Sequence, residues 1–199
     1  DLLNQLGLDY LRARWRGVNS LENHDLVLRP KSQDDHDRME RIARVSDPND
    51  SHSWWGRSRS RVANGLLLTM PGIPMLFMGQ EFLEDKQWSD DVPGHPELLI
   101  YWAGLTAPDP TMRNFRIFIR ELIRLRLEQP ALCGEGFAPI HAQDQNRVLA
   151  FQRWVPGVGE DLVIVASFAN RTWFGYQIGF PRGGRWLEVF NSEAYDTYS

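Results

Sequence analysis

The sequence predicts a mixed α/β first part followed by an all-β second part. Apolar runs at 17–22 and 73–78, separated by a helical segment at 57–70, give the strand–helix–strand order of a parallel α/β unit. In the second part, the pattern changes to short β-branched and aromatic runs divided by glycine-containing turns. Short strands spaced by about ten residues are typical of an antiparallel β-sandwich. We therefore predict two domains, residues 1–132 and residues 133–199.

The first part also contains long polar segments that would connect its strands and helices. Strand 17–22 ends in a polar triplet, and residues 27–55 then form a polar excursion with a helical turn expected over 37–45. The next helix ends at Pro71–Gly72, as expected when proline follows a helix. The run at 73–78 is bounded by proline and glycine, which suits a short strand buried on both faces.

The remaining elements follow from hydrophobic periodicity. A second long loop is expected at 80–110, before a helix at 115–127 whose apolar residues cover one broad face. Asn114 or Thr111 is the expected cap of that helix. The strands of the second domain are expected at 147–155, 161–169, 176–180 and 186–190.

Composition argues against several classes of function. The net charge is −4 and the basic residues are spread along the chain, which argues against a nucleic-acid partner. No apolar run approaches the roughly 20 residues of a membrane-spanning helix. The single cysteine, Cys133, excludes an internal disulfide framework and fits a reducing, cytoplasmic compartment. Residues 34–37 (DDHD) could bind a hard cation, but an acid-rich helix start explains them more simply, and we expect no metal.

The strongest chemical feature is the segment Glu22, Asn23, His24 and Asp25 at the end of the first strand. In parallel α/β barrels, catalytic side chains stand at the carboxyl ends of the strands. A carboxylate accepts hydrogen bonds from sugar hydroxyls and an imidazole donates one, so this pair suits a carbohydrate. Such bonds strengthen as an oxocarbenium ion develops. The competing interpretation is a loop with a surface aspartate and a capping asparagine.

A second polar pair, Gln80 and Glu81, closes the strand at 73–78. These two residues are either orienting groups for a ligand or helix-capping groups. Aromatic residues are abundant in the two long loops, where pyranose rings would stack on flat ring faces, although most tryptophans fill cores. The loop tryptophans are Trp54, Trp55, Trp88 and Trp102, and Trp88 is the expected sugar contact.

The segment that ends in Asn23–Asp25 and the segment that ends in Gln80–Glu81, taken together and in this order, resemble the alpha-amylase superfamily. Leu21–Asp25 resembles its last catalytic signature, in which the seventh barrel strand ends in Asn-His-Asp or Ser-His-Asp. Ile73–Phe82 resembles the eighth strand, G-x-P-x-x-x-x-G-x-E. Trp186–Ser192 (WLEVFNS) and 84–90 (EDKQWSD) resemble the closing β-domain strand and the strand-eight loop of branching enzymes. The resemblance covers essentially the whole chain and is greatest to glycogen branching enzymes.

The resemblance implies the last strands and helices of a TIM (β/α)8 barrel, followed by the β-sandwich. It also implies a retaining double displacement on α-1,4-glucan, with an α-1,6 link formed in branching enzymes. Asp25 matches the aspartate that stabilises the transition state, and His24 matches the histidine that binds the same sugar. Asn23, Glu81 and Trp88 are further expected sugar contacts, and no cofactor is implied.

The same resemblance implies that the chain is incomplete as a catalyst. The nucleophile and the acid/base lie on earlier strands of the family's barrel, and no segment here matches them. We therefore expect the chain to be part of a longer protein, to need the N-terminal remainder of the barrel and to be inactive alone. Because strands 17–22 and 73–78 would lose neighbours, exposed apolar edges are expected to cause self-association.

Two alternative functions remain open from sequence. The first is a hydrolase of the same superfamily, in which water resolves the intermediate; Asn23 stands where branching enzymes often carry serine and amylases carry asparagine. The second is a non-catalytic glucan-binding module. His24 and Asp25 open to solvent beside a tryptophan would favour the enzyme, whereas a paired and covered arrangement would favour the module.

Overall fold

A computed structural model describes residues 2–30 and 38–196. Its helices are α1 (Leu2–Gly7), α2 (Ile42–Ser46), α3 (Trp54–Thr69), α4 (Thr111–Glu128) and α5 (Pro130–Cys133). Its strands are β1 (Val18–Ser20), β2 (Ile73–Met75), β3 (Gly136–Gln143), β4 (Val148–Trp154) and β5 (Leu162–Ser167). Short 3-10 turns lie at Arg14–Arg16, Gln80–Phe82, Pro96–Leu98, Trp102–Leu105 and Ser192–Tyr195. No helix in these ranges is long and apolar enough to cross a membrane.

The described chain divides into two compact units. The first, here named the sheet unit, comprises residues 2–19, 65–74 and 122–190. The second, here named the loop unit, comprises residues 20–30, 38–64, 75–121 and 191–196. The three-stranded sheet of β3, β4 and β5 belongs to the sheet unit, whereas the Asn-His-Asp segment and the loop after β2 belong to the loop unit.

The two long helices form where periodicity predicted them. Helix α3 covers the predicted 57–70 helix but starts earlier, and it ends just before Pro71. Helix α4 covers the predicted 115–127 helix and begins earlier, at Thr111, whose N–H group is capped by Asp109. Asp109 Oδ1 accepts hydrogen bonds from the backbone nitrogen and Oγ1 of Thr111, at 3.0 and 2.7 Å. Asn114 lies inside the helix, where its backbone nitrogen donates to the carbonyl of Pro110.

The sheet unit contains an antiparallel sheet in the order β3–β4–β5. Central strand β4 is buried over 148–151, and Phe137 of β3 packs against Phe151 with ring centroids 5.2 Å apart. The sequence predicted β4 and β5 but missed β3, because Pro139 and small residues interrupt its alternation. Proline is tolerated there because β3 is an edge strand, and the register shifts between Pro139 and His141.

The two last expected strands, at 176–180 and 186–190, were wrong: neither segment is a strand. Gly175 and Gly184 have φ angles of 65° and 118°, outside the β region, so the backbone turns at both positions. The side chains of Phe174 and Leu187 are 92% and 84% exposed. This stretch therefore lacks the buried apolar face that would hold its residues in a sheet.

Strands β1 and β2 pair with each other, but the expected burial on both faces was wrong. The backbone nitrogen of Ile73 donates to the carbonyl of Gly17 at 2.7 Å. Val18 and Ile73 are nevertheless 62% and 50% exposed. A buried parallel strand needs neighbours at both edges and cover on both faces. Within the described ranges, this sheet has only two strands, so its apolar side chains stay in contact with solvent.

Two arginines of the sheet unit, the buried Arg153 and the half-buried Arg126, donate hydrogen bonds to carbonyls at helix ends. The Arg153 side chain projects from β4 and donates to the carbonyls of Thr69, Leu132, Gly134 and Gly136 at 2.5–3.2 Å. Arg126 donates to the carbonyls of Leu68, Met70 and Gly72. The last carbonyls of a helix have no partner within it, so these guanidiniums satisfy the end of α3. Burial lowers the pKa of Arg153 to about 10.

Candidate functional site

Asn23 shapes the turn that carries the Asn-His-Asp segment. Its side-chain Oδ1 accepts hydrogen bonds from the backbone nitrogens of Asp25 and Leu26, at 3.0 and 2.9 Å. The nitrogen of Val27 donates to the backbone carbonyl of Asn23 at 3.1 Å. An asparagine that bonds the backbone two residues ahead makes an Asx-turn. Asn23 was predicted to contact sugar, and its amide oxygen is engaged in folding the loop.

The His24 and Asp25 side chains lie beside each other and face solvent. They are 66% and 78% exposed, and His24 Nε2 is 3.5 Å from Asp25 Oδ1. The backbone around them is ordered: Arg38 Nη1 donates to the Asp25 carbonyl, and the Met39 nitrogen donates to the Leu26 carbonyl at 2.7 Å. A fixed backbone with an open imidazole and carboxylate is suited to hydrogen bonding with a polar ligand.

Trp88 lies next to this pair. Its indole Nε1 donates to the backbone carbonyl of His24 at 2.7 Å, and its ring meets the His24 ring edge-on with centroids 6.4 Å apart. Its backbone pairs with the same loop: Trp88 N donates to Val27 O, and Arg29 N donates to Trp88 O. The structure therefore brings together three of the predicted site residues, His24, Asp25 and Trp88.

Gln80 and Glu81 differ in their surroundings, although they are neighbours in one 3-10 turn. Gln80 is buried, and its amide accepts from Phe77 N at 3.1 Å and donates to Asn64 Oδ1 at 2.8 Å. Gln80 is therefore a structural group. Glu81 is half-buried. Burial is the main cause of the raised pKa of Glu22, and the charge of Glu81 adds to that shift. Glu81 is placed near other carboxylates and not beside His24 in any contact that the structure records.

The site has a buried polar support that the sequence did not indicate. Glu22 and Arg41 form an ion pair at 3.2 Å, and both side chains are 1% exposed. Desolvation raises the pKa of Glu22, and it lowers the pKa of Arg41. Glu84, also buried, accepts a hydrogen bond from Tyr101 N at 2.7 Å. Glu22 belongs to the polar segment that the sequence singled out, but nothing in the local pattern indicates that Arg41 and Glu84 are buried or that Arg41 pairs with Glu22.

The other loop tryptophans are exposed to solvent, whereas Trp88 is half-buried. Trp54 and Trp55, at the start of α3, pack edge-to-face and are 44% and 40% exposed. Trp102 is 60% exposed and lies against Phe82. A groove of about 240 Å³ lies along the Trp88 segment, lined by Leu28, Arg29, Ser89, Asp90, Asp91 and His95.

Residues 2–30 and 38–196 contain no group of three or more His, Cys, Asp or Glu side chains that could hold a metal ion. Residues 34–37, for which a cation site was considered, lie outside the described residues.

Comparison with known proteins gives a consistent result. The family described as "Alpha amylase, C-terminal all-beta domain" matches residues 140–198. The chain is 35% identical over 147 residues to 1,4-alpha-glucan branching enzyme GlgB 1 of Xanthomonas euvesicatoria pv. vesicatoria, covering 71% of this chain and 19% of that protein. The matches identify the chain as a C-terminal portion of a protein of the alpha-amylase family. This confirms the resemblance inferred from the two strand-end motifs and the WLEVFNS segment.

Two further relatives of this alpha-amylase-family chain carry the same type of name. The 1,4-alpha-glucan branching enzyme GlgB 1 of Xanthomonas campestris pv. campestris is 30% identical over 208 residues, which cover 98% of this chain and 27% of that protein. The 1,4-alpha-glucan branching enzyme GlgB of Oceanobacillus iheyensis is 31% identical over 148 residues, covering 71% of this chain and 22% of that protein. The chain thus spans roughly a fifth to a quarter of the length of these relatives.

Proposed function

We propose that this chain is part of a 1,4-alpha-glucan branching enzyme-like protein, to which it contributes one side of the sugar-binding cleft. Asp25 stabilises the oxocarbenium-like transition state, and His24 donates a hydrogen bond to the same sugar ring. Trp88 offers an aromatic surface for a neighbouring glucose unit. The parent protein cleaves an α-1,4 link and rejoins the chain at a 6-hydroxyl, through a retaining mechanism.

The observation that carries this proposal is the exposed His24–Asp25 pair beside Trp88. An imidazole and a carboxylate on an ordered backbone, next to an aromatic ring, supply both the polar and the apolar contacts of a pyranose. The similarity to proteins named as branching enzymes supports an α-glucan as the ligand. The nearby groove with Arg29, Asp90 and His95 adds polar groups that suit further sugar hydroxyls.

The proposal extends to the architecture of the parent protein. Residues 1–132 complete a (β/α)8 barrel whose earlier strands carry the nucleophile and the acid/base, and residues 133–199 belong to a β-sandwich domain. Asn23 and Glu81 are proposed as supporting residues of the sugar site. The chain alone is proposed to be inactive, and the parent protein is proposed to act in the cytoplasm.

Hydrolysis of α-1,4-glucan is the second candidate function, and Asn23 is the observation that favours it. Its Oδ1 accepts hydrogen bonds from two backbone nitrogens. Amylases carry asparagine at this position, whereas branching enzymes often carry serine. A hydrolase and a branching enzyme share the Asp25 chemistry. They differ in whether water or a sugar hydroxyl resolves the glycosyl-enzyme.

The test combines the chain with the N-terminal part of its parent protein and supplies amylose. Iodine staining reports loss of long linear chains, and reducing ends report hydrolysis. Asp25→Asn removes the proposed stabilising charge. Asp144→Asn is the matched control, because Asp144 is an exposed carboxylate in the turn between β3 and β4.

Three outcomes are informative. Falling iodine colour without new reducing ends, abolished by Asp25→Asn and kept by Asp144→Asn, supports the branching proposal. Reducing ends that rise in step with the colour loss support the hydrolase. Full activity of Asp25→Asn rejects the role proposed for that carboxylate.

A further inference from the structure

Arg41 is a buried arginine whose side chain joins three segments of the loop unit. Its Nη2 lies 3.2 Å from Glu22 Oε1 and donates to the carbonyl of Met78 at 2.7 Å. Its Nε makes a longer bond, 3.4 Å, to the carbonyl of Glu84. The guanidinium also stacks over the Phe77 ring, 5.1 Å from the centroid. One side chain therefore ties Glu22, which directly precedes the Asn-His-Asp turn, to the loop that follows β2.

A buried ion pair is a costly way to hold two segments together. Removing both charges from water costs several kcal/mol, and apolar side chains of the same volume often stabilise a fold equally well. The desolvation is visible in the raised pKa of Glu22 and the lowered pKa of Arg41. Stability alone therefore does not account for the pair. Glu22 Oε1 is held by the ionic contact and not by a hydrogen bond. The directional hydrogen bonds are those from Arg41 to the carbonyls of Met78 and Glu84, and they define a geometry more sharply than apolar contacts do.

The surroundings of Arg41 are shaped to accept the guanidinium. Gly79 has a φ of 88°, and a Cβ at this position would lie 2.9 Å from Arg41 Nη2 and 2.6 Å from Glu84 Cβ. Glu22 Oε2 accepts a hydrogen bond from Ile42 N at 2.9 Å. The adjoining cavity has a volume of about 10 Å³, so it has no room for a sugar. Arg41 thus acts on a ligand only through the segments that it holds.

Those segments carry the two halves of the candidate site. Glu22 directly precedes the Asn-His-Asp turn. On the other side, Glu84 Oε1 accepts from Lys86 N at 3.3 Å and Oε2 accepts from Tyr101 N at 2.7 Å, which orders the chain on both sides of Trp88. The side chain of Glu84 is only 3% exposed. The cluster of Glu22, Arg41 and Glu84, here named the Arg41 cluster, therefore lies behind both loops.

We propose that Arg41 is a positioning residue that sets the spacing between the His24–Asp25 pair and the Trp88 ring. The inference rests on the proposed function, because this spacing matters when one glucan chain contacts both loops. Arg41 acts through Glu22 on one loop and through the carbonyls of Met78 and Glu84 on the other.

The experiment uses the full chain and the variants Arg41→Met and Arg41→Lys. The matched control is Arg61→Met, since the Arg61 side chain is also in the loop unit, is 2% exposed, and pairs with Glu193 and Asp196 at 3.1 Å. Two readouts are taken under conditions where circular dichroism shows every variant folded. One is the state of the Trp88 loop in proton–nitrogen spectra, followed by the indole N–H signal of Trp88, assigned with Trp88→Phe, and by amide exchange at Trp88 and Arg29. The other is the affinity for maltoheptaose by calorimetry.

Arg41→Met is expected to shift the Trp88 indole signal, to speed amide exchange at Trp88 and Arg29, and to weaken maltoheptaose binding on the order of tenfold. Arg41→Lys is expected to restore part of both effects, because its ammonium still pairs with Glu22. Arg61→Met is expected to lower the melting temperature while leaving the indole signal and the affinity unchanged.

Two results would overturn the inference. One is an Arg41→Met chain with the original indole signal and affinity. The other is an Arg61→Met chain that changes both readouts as much as Arg41→Met does. If the unaltered chain does not bind maltoheptaose, the indole and exchange readouts still decide whether Arg41 positions the Trp88 loop. The proposed function is decided separately, by the iodine and reducing-end test on the chain combined with the N-terminal part of its parent protein.

Discussion

The indole Nε1 of Trp88 donates a hydrogen bond to the backbone carbonyl of His24 at 2.7 Å. This bond and the backbone pairing of Trp88 with Val27 and Arg29 hold two loops side by side. The His24 and Asp25 side chains take no part in that pairing and stay exposed. The backbone that carries His24 and Asp25 is therefore held in place without a ligand, and a preformed site lowers the entropy cost of binding.

Trp88 is expected to matter for glucan binding in two separable ways. Trp88→Ala removes both the ring face and the hydrogen bond, and should weaken maltoheptaose binding on the order of tenfold. Trp88→Phe keeps a ring face but loses a hydrogen bond of about 1 kcal/mol, so its loss should be smaller. Calorimetric titration measures both. Trp102→Ala is the control, and an equal loss in that variant would show that Trp88 has no special role.

Arg153 is expected to be essential for the stability of the sheet unit. Arg153→Met would leave the four carbonyls that it serves without a donor inside the core, at a cost of roughly 3–5 kcal/mol in unfolding free energy. Urea unfolding followed by circular dichroism measures the change. Arg124→Met is the matched control, because Arg124 is 66% exposed and pairs with the exposed Glu128, so about 0.5 kcal/mol is expected. Equal effects of the two variants would contradict the capping role.

Glu22 is expected to make stability depend on pH. Burial raises its pKa above 4.5, with Arg41 opposing the shift and Glu81 and Glu84 reinforcing it. The Glu22 carboxyl group therefore binds its proton more tightly in the folded chain than in the unfolded chain. The stabilising contribution is complete below pH 4.5 and is lost as the pH rises through the raised pKa. The unfolding free energy of the unaltered chain minus that of Glu22→Gln should thus fall from pH 4.5 towards neutrality.

Asp47 provides a control of opposite sign for this titration. A hydrogen bond from Ser53 Oγ, and then bonds from backbone nitrogens, hold the pKa of Asp47 below 3.8. Its contribution is present above pH 3.8 and is lost as the pH falls through the lowered pKa. Asp47→Asn should therefore alter the curve only in acid. A Glu22→Gln difference that rises with pH would show that the ion pair with Arg41 outweighs desolvation.

Self-association of the chain is expected through the exposed face of the β1–β2 pair. Val18 and Ile73 expose apolar side chains on the β1–β2 sheet. Exposed apolar strands at a sheet edge pair with strands of other chains. Ile73→Lys should lower the mass measured by light scattering towards the monomer. Leu187→Lys is the control, because Leu187 is 84% exposed outside any strand. A monomeric unaltered chain with one cooperative melt would refute the expectation.

Local sequence signals explain which parts of the fold were predictable. Helices α3 and α4 follow from periodicity and flanking prolines, which act within a few residues. Strand β3 was missed because Pro139 is acceptable only at a sheet edge, and edge position is a property of the whole sheet. Segments 176–180 and 186–190 have strand-like composition, but pairing needs a neighbour that local sequence does not specify.

The candidate site divides in the same way. His24 and Asp25 were found because the Asn-His-Asp motif is short and contiguous. Arg41 and Glu84 were not, because loop arginines and glutamates are ordinarily solvated and only tertiary packing buries them. The Asx-turn of Asn23 shows the reverse case, in which a residue predicted to contact ligand has its amide oxygen engaged with its own backbone.

The bond from Trp88 to His24 uses the backbone of residue 24 and leaves its imidazole unconstrained by that bond. The shape of the loop and the identity of the group that it displays are therefore carried by different atoms of one residue. A library of substitutions at position 24 would vary ligand preference while keeping the loop conformation. The same library at position 88 would disturb both, so position 24 is the better starting point for redesigning specificity.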